Sequence, residues 1–289
     1  MTQDSFERFR RQMELMQFET LPLFSKPYLS WKLTTDYIGR RLVYRPETES
    51  TMDDARRMLE RFRLTNGAVV LAESQSAGRG RNGRSWVSVP DVSLLFTIVL
   101  MTESREQQRH LAYVTPLAIA LAVEETLAAR GGDVQVDLKW PNDVQIDGRK
   151  IAGILIETTE TEQGQPVALV GAGINVNMDV SLYPEIAGVA TSIRSATGIE
   201  LPREELLAAV CNHLEALHEE ALAGSRAPFE AWKARLVTLG REVTAFRGAE
   251  VLEGTAVDVD EDGTLVIETA AGNRVHVEAG DVTLNRAQA

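Results

Sequence analysis

The stretch "GAVVLAESQSAGRGRNGRSWVSVPDVSLLFTIVL", residues 67–100, sets a loop rich in glycine and arginine between two strand-like runs. The runs at 67–73 and 92–100 are mostly apolar, which is typical of buried strands. From Gly78 the loop has the G-x-G-x-x-G spacing of a dinucleotide-binding fingerprint. That fingerprint must open a crossover helix, and Pro90 and the second strand leave no room for one. We therefore interpret the stretch as a strand–loop–strand unit and not as a nicotinamide-binding loop.

Three arginines, Arg79, Arg81 and Arg84, alternate with other residues in this loop. The glycines let backbone amides approach a ligand, and each guanidinium adds a permanent charge and paired donors for carboxylate or phosphate. The whole chain carries a net charge of −12, which argues against a general nucleic-acid-binding protein. The loop therefore predicts a small anionic ligand, although a flexible basic surface loop fits the same motif when it stands alone.

Length and composition indicate an ordinary globular protein, either of one large domain or of one domain with a small appendage. The chain has 289 residues, of which 44% are hydrophobic and 25% charged. Cys211 is the single cysteine, so neither a disulfide framework nor a cysteine-based zinc site is expected. We find no apolar run of bilayer-spanning length and no signal-peptide pattern, and we expect a cytoplasmic protein.

Hydrophobic periodicity and end signals predict the helices. They are a short amphipathic helix with Phe6, Phe9, Met13 and Met16 at helical spacing, a helix capped at Ser50 with Asp53 in the capping-box position, a buried helix from Thr115-Pro116 to about Ala129, a helix over 201–222 with Pro202 in its first turn, and a helix over about 228–237.

Further strand-like runs follow the buried helix, with a hairpin turn at Asp147-Gly148. They are "VQVDLKW" (134–140), "DVQIDGRK" (143–150), "KIAGILIE" (150–157) and "PVALVGAGINVN" (166–177). From Arg241, short alternating runs with turns at Asp262-Gly263 and Gly272-Asn273 predict a small β barrel of SH3-like size. The predicted organisation is a helical extension at 1–45, a main domain at 46–238 and an SH3-like domain at 239–289.

Two patterns resemble metal sites without meeting their requirements. The run Asp258-x-Asp260-x-Asp262-Gly263 resembles the start of a calcium loop, but Thr269 stands where the bidentate glutamate is needed. We interpret the run as a solvated hairpin turn. The histidines offer no ligand set either, because His213 and His218 do not share a face of their helix.

A second group of candidate site residues lies in "KWPNDVQIDGRK". Pro141 breaks the strand, so we expect Asn142 and Asp143 to turn toward a cleft and leave the ladder. Asp143 suits Mg²⁺ or an amine, and Lys150, at the start of a strand, suits phosphate; Lys139 lies in the same short span.

A third group lies in "GAGINVN", residues 171–177. Gly171 and Gly173 allow close backbone approach, and Asn175 offers an oxygen suited to a hard cation. One cationic loop, one Lys/Asp pair and one Gly/Asn strand together predict a nucleotide–Mg²⁺ site that lacks a P-loop.

With these residues identified, the sequence resembles the biotin–protein ligases. The resemblance covers about 45–289 and is carried, in family order, by "ESTMDDA", "SQSAGRGRNGRSW", "KWPNDV", "KIAGILIE" and "GAGINVN". It implies an α+β fold: a mixed β sheet packed with helices, of the class II synthetase-like type, followed by a C-terminal SH3-like β barrel.

The resemblance also implies the reaction, which has two steps. Biotin's carboxylate attacks the α-phosphate of ATP with Mg²⁺ present, releasing pyrophosphate and leaving biotinyl-AMP. A lysine of a biotin carboxyl carrier domain then attacks the mixed anhydride, and AMP leaves. The implied partner is therefore the carrier domain of a biotin-dependent carboxylase.

Site roles are carried over where the motifs match. Biotin binding is expected at Ser50, Thr51, Met52, Gln75, Gly78, Arg79, Gly80, Arg81, Lys150, Gly153 and Leu155. ATP or adenylate binding is expected at Arg79, Arg81, Arg84, Trp86, Asn142, Lys150, Gly171, Gly173 and Asn175. Catalytic roles are expected for Lys150, Arg81, Asp143 and Lys139, and Mg²⁺ coordination for Asp143 and Asn175. Some of these residues also have a purely structural interpretation: Ser50 as a helix cap and Trp86 as an aromatic residue of the core.

The chain also departs from the family pattern. Residues 1–45 hold one clear helix, too little for the winged helix-turn-helix of some members, so we expect no DNA binding. We also expect no membrane association, because no apolar run is long enough to span a bilayer. Residues 1–45 leave a homodimer open. The segment "IAGVATSIRS" lacks the tryptophan that some members place there, and Arg286 lies one residue from the position of a basic residue in some relatives.

Two alternatives to a biotin–protein ligase remain at this point. A lipoate or octanoate ligase of related fold is one, although the arginine loop is not typical of it. A non-catalytic biotin-responsive regulator is the other, and the short N-terminal segment counts against it.

Overall fold

The computed structural model describes residues 24–61, 64–86, 89–247, 250–278 and 281–284. The larger sheet has the strands β1 (Leu42–Thr48), β2 (Val69–Gln75), β3 (Ser93–Met101), β4 (Asp137–Lys139), β5 (Asp143–Ile146), β6 (Arg149–Glu160) and β7 (Pro166–Asn175). Their spatial order is β1-β2-β3-β7-β6-β5-β4. β1 and β2 are parallel and the other neighbours antiparallel, so the sheet is mixed, as predicted.

Helices cover both faces of this sheet. They are α1 (Lys26–Lys32), α2 (Thr51–Glu60), α3 (Leu111–Ala128), α4 (Pro184–Ala187), α5 (Ile193–Thr197), α6 (Arg203–Leu222) and α7 (Ala227–Lys233), with 3₁₀ turns at Arg81–Gly83, Glu106–Gln108 and Val180–Leu182. The apolar residues of α3 and α6 share one core with one face of the sheet. α2 packs on the opposite face, where Met52 and Leu59 meet Val70 and Val99. α2 covers only part of this second face, and the part formed by β4 to β7 carries the candidate functional site described below.

The predicted start of the buried helix at Thr115-Pro116 was wrong. α3 begins at Leu111, one turn earlier, and carries Pro116 inside it. An internal proline removes one helical hydrogen bond. The extra turn nevertheless forms because it buries Leu111, Tyr113 and Val114, each at most 8% exposed, in the core.

One segment has the length and composition of a membrane span, although no apolar run of that length was expected. Glu106–Ala128 is long and apolar enough by length and composition, with a mean hydropathy of 1.4. Most of it is buried inside the fold against α6 and the sheet, as in the core helix of a water-soluble protein. The segment is therefore weak evidence for a membrane span.

The C-terminal strands form a separate antiparallel sheet in the order β11-β10-β9-β8-β12, made of β8 (Glu242–Arg247), β9 (Glu250–Val259), β10 (Leu265–Glu268), β11 (Arg274–Val277) and β12 (Asp281–Leu284). Gly254 lies where β9 crosses β10, and a Cβ there would stand 2.3 Å from the Glu268 carbonyl oxygen. Only glycine permits this close crossing. Trp140 ties the two sheets together, because its Nε1 donates to the Gly263 carbonyl at 2.8 Å.

The hairpin interpretation of the acidic run fits the structure. Asp258 pairs with Lys233 at 2.6 Å, and Asp260 contacts His276 at 2.6 Å. Asp262 Oδ1 accepts from the Thr264 amide at 3.1 Å, inside the turn between β9 and β10. Among the described residues, no group of three or more His, Cys, Asp or Glu side chains is placed to hold a metal ion.

The predicted domain boundaries remain predictions. The helix proposed around Phe6 to Met16 lies outside the described residues, as does Arg286. Within 1–45, α1 packs against α6, and β1 runs across the proposed boundary into the large sheet. The part of this segment that the structure describes is thus built into the main body.

Two buried histidines make the fold sensitive to acid. His110 Nε2 and His218 Nδ1 lie 2.7 Å apart between α3 and α6. Burial, and then the neighbouring His218, lowers the pKa of His110 to about 4, and burial also lowers the pKa of His218. Protonation therefore favours the unfolded chain, and stability present above pH 6.5 is lost as the pH falls toward 4.

We expect the free energy of unfolding to fall by about 2 kcal/mol from His110 alone between pH 6.5 and 5. Urea unfolding at the two pH values measures this loss in the wild type and in His110→Gln, which cannot titrate at that position. The variant should show a smaller loss over the same interval. Equal losses would mean that other groups cause the acid sensitivity.

Candidate functional site

The free face of the large sheet carries a row of predicted site residues. Lys139, Asp143, Gly153 and Gly173 are cross-strand partners in sequence from β4 to β7. Cross-strand partners point to the same face, so this row forms one surface. Asp143 therefore stays in the ladder, and the prediction that it leaves the sheet was wrong. Pro141 only separates β4 from β5, and its peptide bond with Trp140 is cis.

A bulge brings Lys150 onto the same face. The pairing of β5 with β6 shifts between Val144 and Gln145, so that Gln145 lies opposite Lys150 and Ile151 is the extra residue. Lys150 Nζ consequently stands 2.5 Å from Asp143 Oδ1 and 5.4 Å from the centre of the Trp86 ring. Lysine and aspartate thus form an ion pair at the centre of the site.

Asn142, the residue before Asp143, is hydrogen-bonded to the backbone of β6. Its Nδ2 donates to the Ile154 carbonyl at 2.6 Å, and its own carbonyl accepts from the Ile154 amide at 3.1 Å. The side chain that we expected to face ATP is therefore engaged with β6. It fixes the backbone from which Asp143 projects.

The arginine loop is a closed hairpin. The Gly80 amide donates to the Arg84 carbonyl at 2.7 Å, and the Trp86 amide donates to the Gly78 carbonyl at 2.9 Å. Its tip is the 3₁₀ turn, where Asn82 has a φ of 56° and Gly83 a φ of 72°. The hairpin is thus an ordered arm that carries its arginines over the sheet face.

The glycines of the sheet are covered by side chains of the same chain. A Cβ on Gly171 would lie 2.7 Å from Met52 Cε, and a Cβ on Gly173 would lie 2.5 Å from the Trp86 indole. A Cβ on Gly153 would meet both Trp86 and Lys150 at 2.8 Å. We expected these glycines to admit a ligand directly. Here they let Met52 and Trp86 lie flat on the sheet and form the floor of the site.

The start of α2 is built differently from the prediction. Ser50 is the N-cap, but its side chain makes no capping bond, and Asp53 binds Arg79 at 2.7 and 2.8 Å, so the capping-box prediction was wrong. Gln75 Oε1 instead accepts from the Thr51 amide at 2.8 Å and from the Thr51 hydroxyl at 3.1 Å.

Thr97 completes this polar corner, because its hydroxyl lies 2.9 Å from that of Thr51. Ser50, Thr51 and Thr97 are at most 4% exposed. The hydroxyls of Thr51 and Thr97 and the amide of Gln75 therefore meet beside the free face of the sheet, and Ser50 lines the same cavity.

All the predicted site residues except Gly78 line one cavity of about 1130 Å³. Gly78 lies beside it, next to Gln75. The cavity also includes residues that the sequence did not single out, among them Thr97, Gln145, Ile186, Val189, Arg241 and Val282. Gln145 lies two residues after Asp143 in β5 and therefore on the same face, which was the signal for it. The signal for Thr97 was a polar residue inside the apolar strand β3. No local pattern indicated Arg241 or Val282. Arg241 lies just before β8, and Val282 lies in β12 of the C-terminal sheet.

The donor set fits a magnesium ion. Asn175 Nδ2 donates to the Thr191 carbonyl at 3.0 Å, whereas its Oδ1 is buried and has no hydrogen-bond partner among the described residues. Asp143 supplies a carboxylate on the same face. Mg²⁺ is commonly held by one or two carboxylates together with water and substrate phosphates, so this sparse set is sufficient.

Comparison with known proteins agrees with this architecture. Residues 44–177 match the profile of the biotin/lipoate A/B protein ligase family, and residues 238–284 match the biotin protein ligase C terminal domain. A biotin–[acetyl-CoA-carboxylase] ligase of Paracoccus denitrificans is 32% identical over 73% of this chain and 88% of its own length. The bifunctional ligase/repressor BirA of Bacillus spizizenii is 29% identical over 86% of this chain and 75% of its own.

Solved structures of similar fold also include biotin protein ligases. A biotin protein ligase from Aquifex aeolicus, in complex with biotin and ATP, superposes with a TM-score of 0.68 at 28% identity, covering 86% of this chain and all of that one. Fold and site together define an enzyme of the biotin/lipoate ligase class. Within that class, the chain belongs to the biotin protein ligase family.

Proposed function

We propose that this chain is an ATP-dependent biotin–protein ligase whose active site is the cavity between the arginine loop and the glycine-lined sheet face. The observation that carries the assignment of the site is the Lys150–Asp143 ion pair in a cavity lined by the arginine loop and the polar corner of α2. This arrangement holds cationic groups where two anionic substrates would meet.

Biotin fits the end of the cavity next to α2. Ser50, Thr51 and Gln75 present polar groups suited to the ureido ring, beside the apolar surface of Met52 and Leu155. The backbone of Gly153 adds hydrogen-bonding groups along β6. The carboxylate would then point toward Lys150 and the arginine loop.

In the first step, a carboxylate oxygen of biotin bonds to the α-phosphorus of ATP, the bond between the α-phosphorus and the bridging oxygen breaks, and pyrophosphate leaves. Mutual repulsion of the two anions opposes this attack. Lys150, Arg81 and Arg84 are fixed positive charges that stabilise the developing charge. Lys139, in the same row as Asp143, would act on the phosphates.

Mg²⁺ would be held by Asp143 and by the Oδ1 of Asn175. When bound, it supplies charge neutralisation at the phosphates. For that, Asp143 must share or exchange its contact with Lys150, which frees the ammonium group for the substrate carboxylate. Trp86 and the hairpin above it would exclude water from the anhydride.

In the second step, the amine of a carrier lysine bonds to the acyl carbon, the bond from that carbon to the phosphate oxygen breaks, and AMP and a proton leave. Asp143 is placed to orient the amine. The acceptor is a biotin carboxyl carrier protein or domain, as the name of the Paracoccus denitrificans relative implies for that enzyme. Location in the cytoplasm and absence of DNA binding remain part of the proposal.

The proposal is tested by biotin-dependent ATP–pyrophosphate exchange with Mg²⁺, followed by transfer to a purified carrier domain. Exchange that requires biotin and is not supported by lipoate is the expected result. Exchange that requires lipoate or octanoate and not biotin would identify the chain as a lipoate or octanoate ligase. Absence of exchange from folded protein would leave a biotin-binding protein without ligase activity.

The floor of the site gives a specific prediction. Gly173→Ala places a methyl group within 2.5–2.8 Å of the Trp86 indole and must displace it. We expect exchange to fall about 10²-fold, because a shift of about 1 Å in positioning costs that much.

A double-mutant cycle with Trp86→Ala is the control for this prediction. If Gly173→Ala acts through the indole, it should add little in the Trp86→Ala background. Fully additive losses would mean that the methyl group acts on the substrate directly.

A further inference from the structure

Four charged side chains join the arginine loop to the body of the protein. Arg79 donates two hydrogen bonds to the carboxylate of Asp53, at 2.7 and 2.8 Å. Glu157 lies 3.9 Å from Arg79 and 2.5 Å from Arg56, which in turn lies 3.7 Å from Asp53. We call Asp53, Arg56, Arg79 and Glu157 the anchor quartet. It connects α2, the loop and β6 and is electrically neutral.

We propose that Asp53, supported by Glu157, is a positioning residue that holds the arginine loop shut over the site by binding Arg79. This proposal rests on the proposed function. It changes the role expected for Arg79: its guanidinium tethers the loop to α2 by binding Asp53, and does not bind the anionic substrates.

The geometry of the Arg79–Asp53 pair favours a tether over an incidental surface contact. A single exposed ion pair contributes little to stability, but a bidentate arginine–carboxylate pair inside a network contributes more. Asp53 is only 27% exposed on its side chain and Glu157 30%, so solvent screens them incompletely.

The position of the tether explains why it controls the whole hairpin. The Arg79 backbone pairs with Ser85, and the neighbouring Gly80–Arg84 and Gly78–Trp86 hydrogen bonds join the two arms. Because the arms are joined, fixing Arg79 on one arm also holds the other arm and Trp86 on the sheet. Release of Asp53 should therefore loosen the cover of the anhydride as a unit.

Limited trypsin digestion of the ligand-free full-length protein measures loop opening directly, because Arg79, Arg81 and Arg84 are themselves trypsin sites. We expect Asp53→Asn to speed cleavage within the loop about tenfold, with fragments identified by mass spectrometry. Glu157→Gln should act in the same direction, and Asp53→Glu should return the rate toward wild type. High salt should reduce the difference, since it screens the pair.

Arg57→Gln is the matched control, because Arg57 forms an ion pair with Asp54 on the same helix without contacting the loop. Its cleavage rate should equal that of the wild type. Equal rates in the wild type and Asp53→Asn would overturn the proposal, and so would equal acceleration in Arg57→Gln. These readings do not depend on catalysis, so they stand apart from any failure of the proposed ligase activity.

The catalytic consequence is leakage of the activated intermediate. With biotin, ATP and Mg²⁺ but no carrier, we expect the ratio of AMP formed by hydrolysis to ATP–pyrophosphate exchange to be about tenfold higher in Asp53→Asn than in the wild type. An unchanged leak in a variant whose loop is cleaved faster would overturn the sealing role. A fall in exchange without a rise in this ratio would also overturn it, because it would indicate damage to the site itself.

Discussion

Lys150→Ala should lower kcat/KM for biotin-dependent ATP–pyrophosphate exchange by about 10³-fold. The ammonium group is the cationic side chain nearest to the Asp143 carboxylate at the centre of the cavity, at 2.5 Å. Removing one preorganised group that stabilises transition-state charge typically costs 10²–10³-fold. Here the loss should reach the upper end of this range, because alanine also leaves Asp143 without its counter-ion. The uncompensated negative charge of Asp143 then lies where two anions must meet.

Lys32→Ala is the matched control for this experiment. Lys32 has almost the same side-chain exposure, 31% against 28%, and pairs with Glu205 at 3.0 Å, but it lies on α1 away from the cavity. Its exchange should remain within about twofold of the wild type. If Lys150→Ala kept more than a tenth of wild-type exchange, Lys150 would have no central part in activation. Lys150→Arg should recover little, because a planar guanidinium does not replace a compact ammonium group.

The sequence predicted which residues line the cavity better than it predicted the contacts that bring them together. The strand-like runs that form β6 and β7 and the Asp147-Gly148 turn, where both residues have positive φ, are local signals and were predicted correctly. The bulge that turns Lys150 to the face of Asp143 depends on pairing between two strands. No pattern within either strand reveals it.

The glycines and Asp53 illustrate a second limit. A glycine in a strand indicates that something approaches closely, but the sequence does not say whether that is a ligand or another side chain. Met52 and Trp86 fill this space, and each comes from a segment distant from the glycine it covers. Asp53 stood in the capping-box position, yet a guanidinium from the arginine loop outcompeted the helix end for its carboxylate.

Glu73 and Arg203 form a buried ion pair that no pattern in the sequence predicted. Their side chains are each 6% exposed, and two guanidinium nitrogens of Arg203 bond to the two carboxylate oxygens of Glu73. Glu73 also accepts from the Tyr44 hydroxyl at 3.1 Å and from the Asp91 amide at 3.3 Å. Burial, followed by the charge of Glu73, raises the pKa of Tyr44 to about 12. The pair thus joins β1, β2, α6 and the segment that follows the arginine loop.

Glu73→Gln should therefore lower the free energy of unfolding by about 3–5 kcal/mol, because it leaves the Arg203 charge buried without a counter-ion. Urea denaturation at neutral pH measures the loss. Glu160→Gln is the control, since its partner Arg105 is 60% exposed, and its effect should stay within about 0.5 kcal/mol.

The double variant Glu73→Leu/Arg203→Met separates the cost of an unpaired charge from the contribution of the pair. It should recover most of the stability lost in Glu73→Gln, because apolar side chains of similar size can replace a buried ion pair at little cost. It should not recover the hydrogen bond to the Asp91 amide, which holds the chain just beyond the arginine loop. We therefore expect a stable protein whose loop is cleaved faster by trypsin than that of the wild type. A double variant as unstable as Glu73→Gln would show instead that the pair itself, and not the avoidance of a lone buried charge, stabilises the fold.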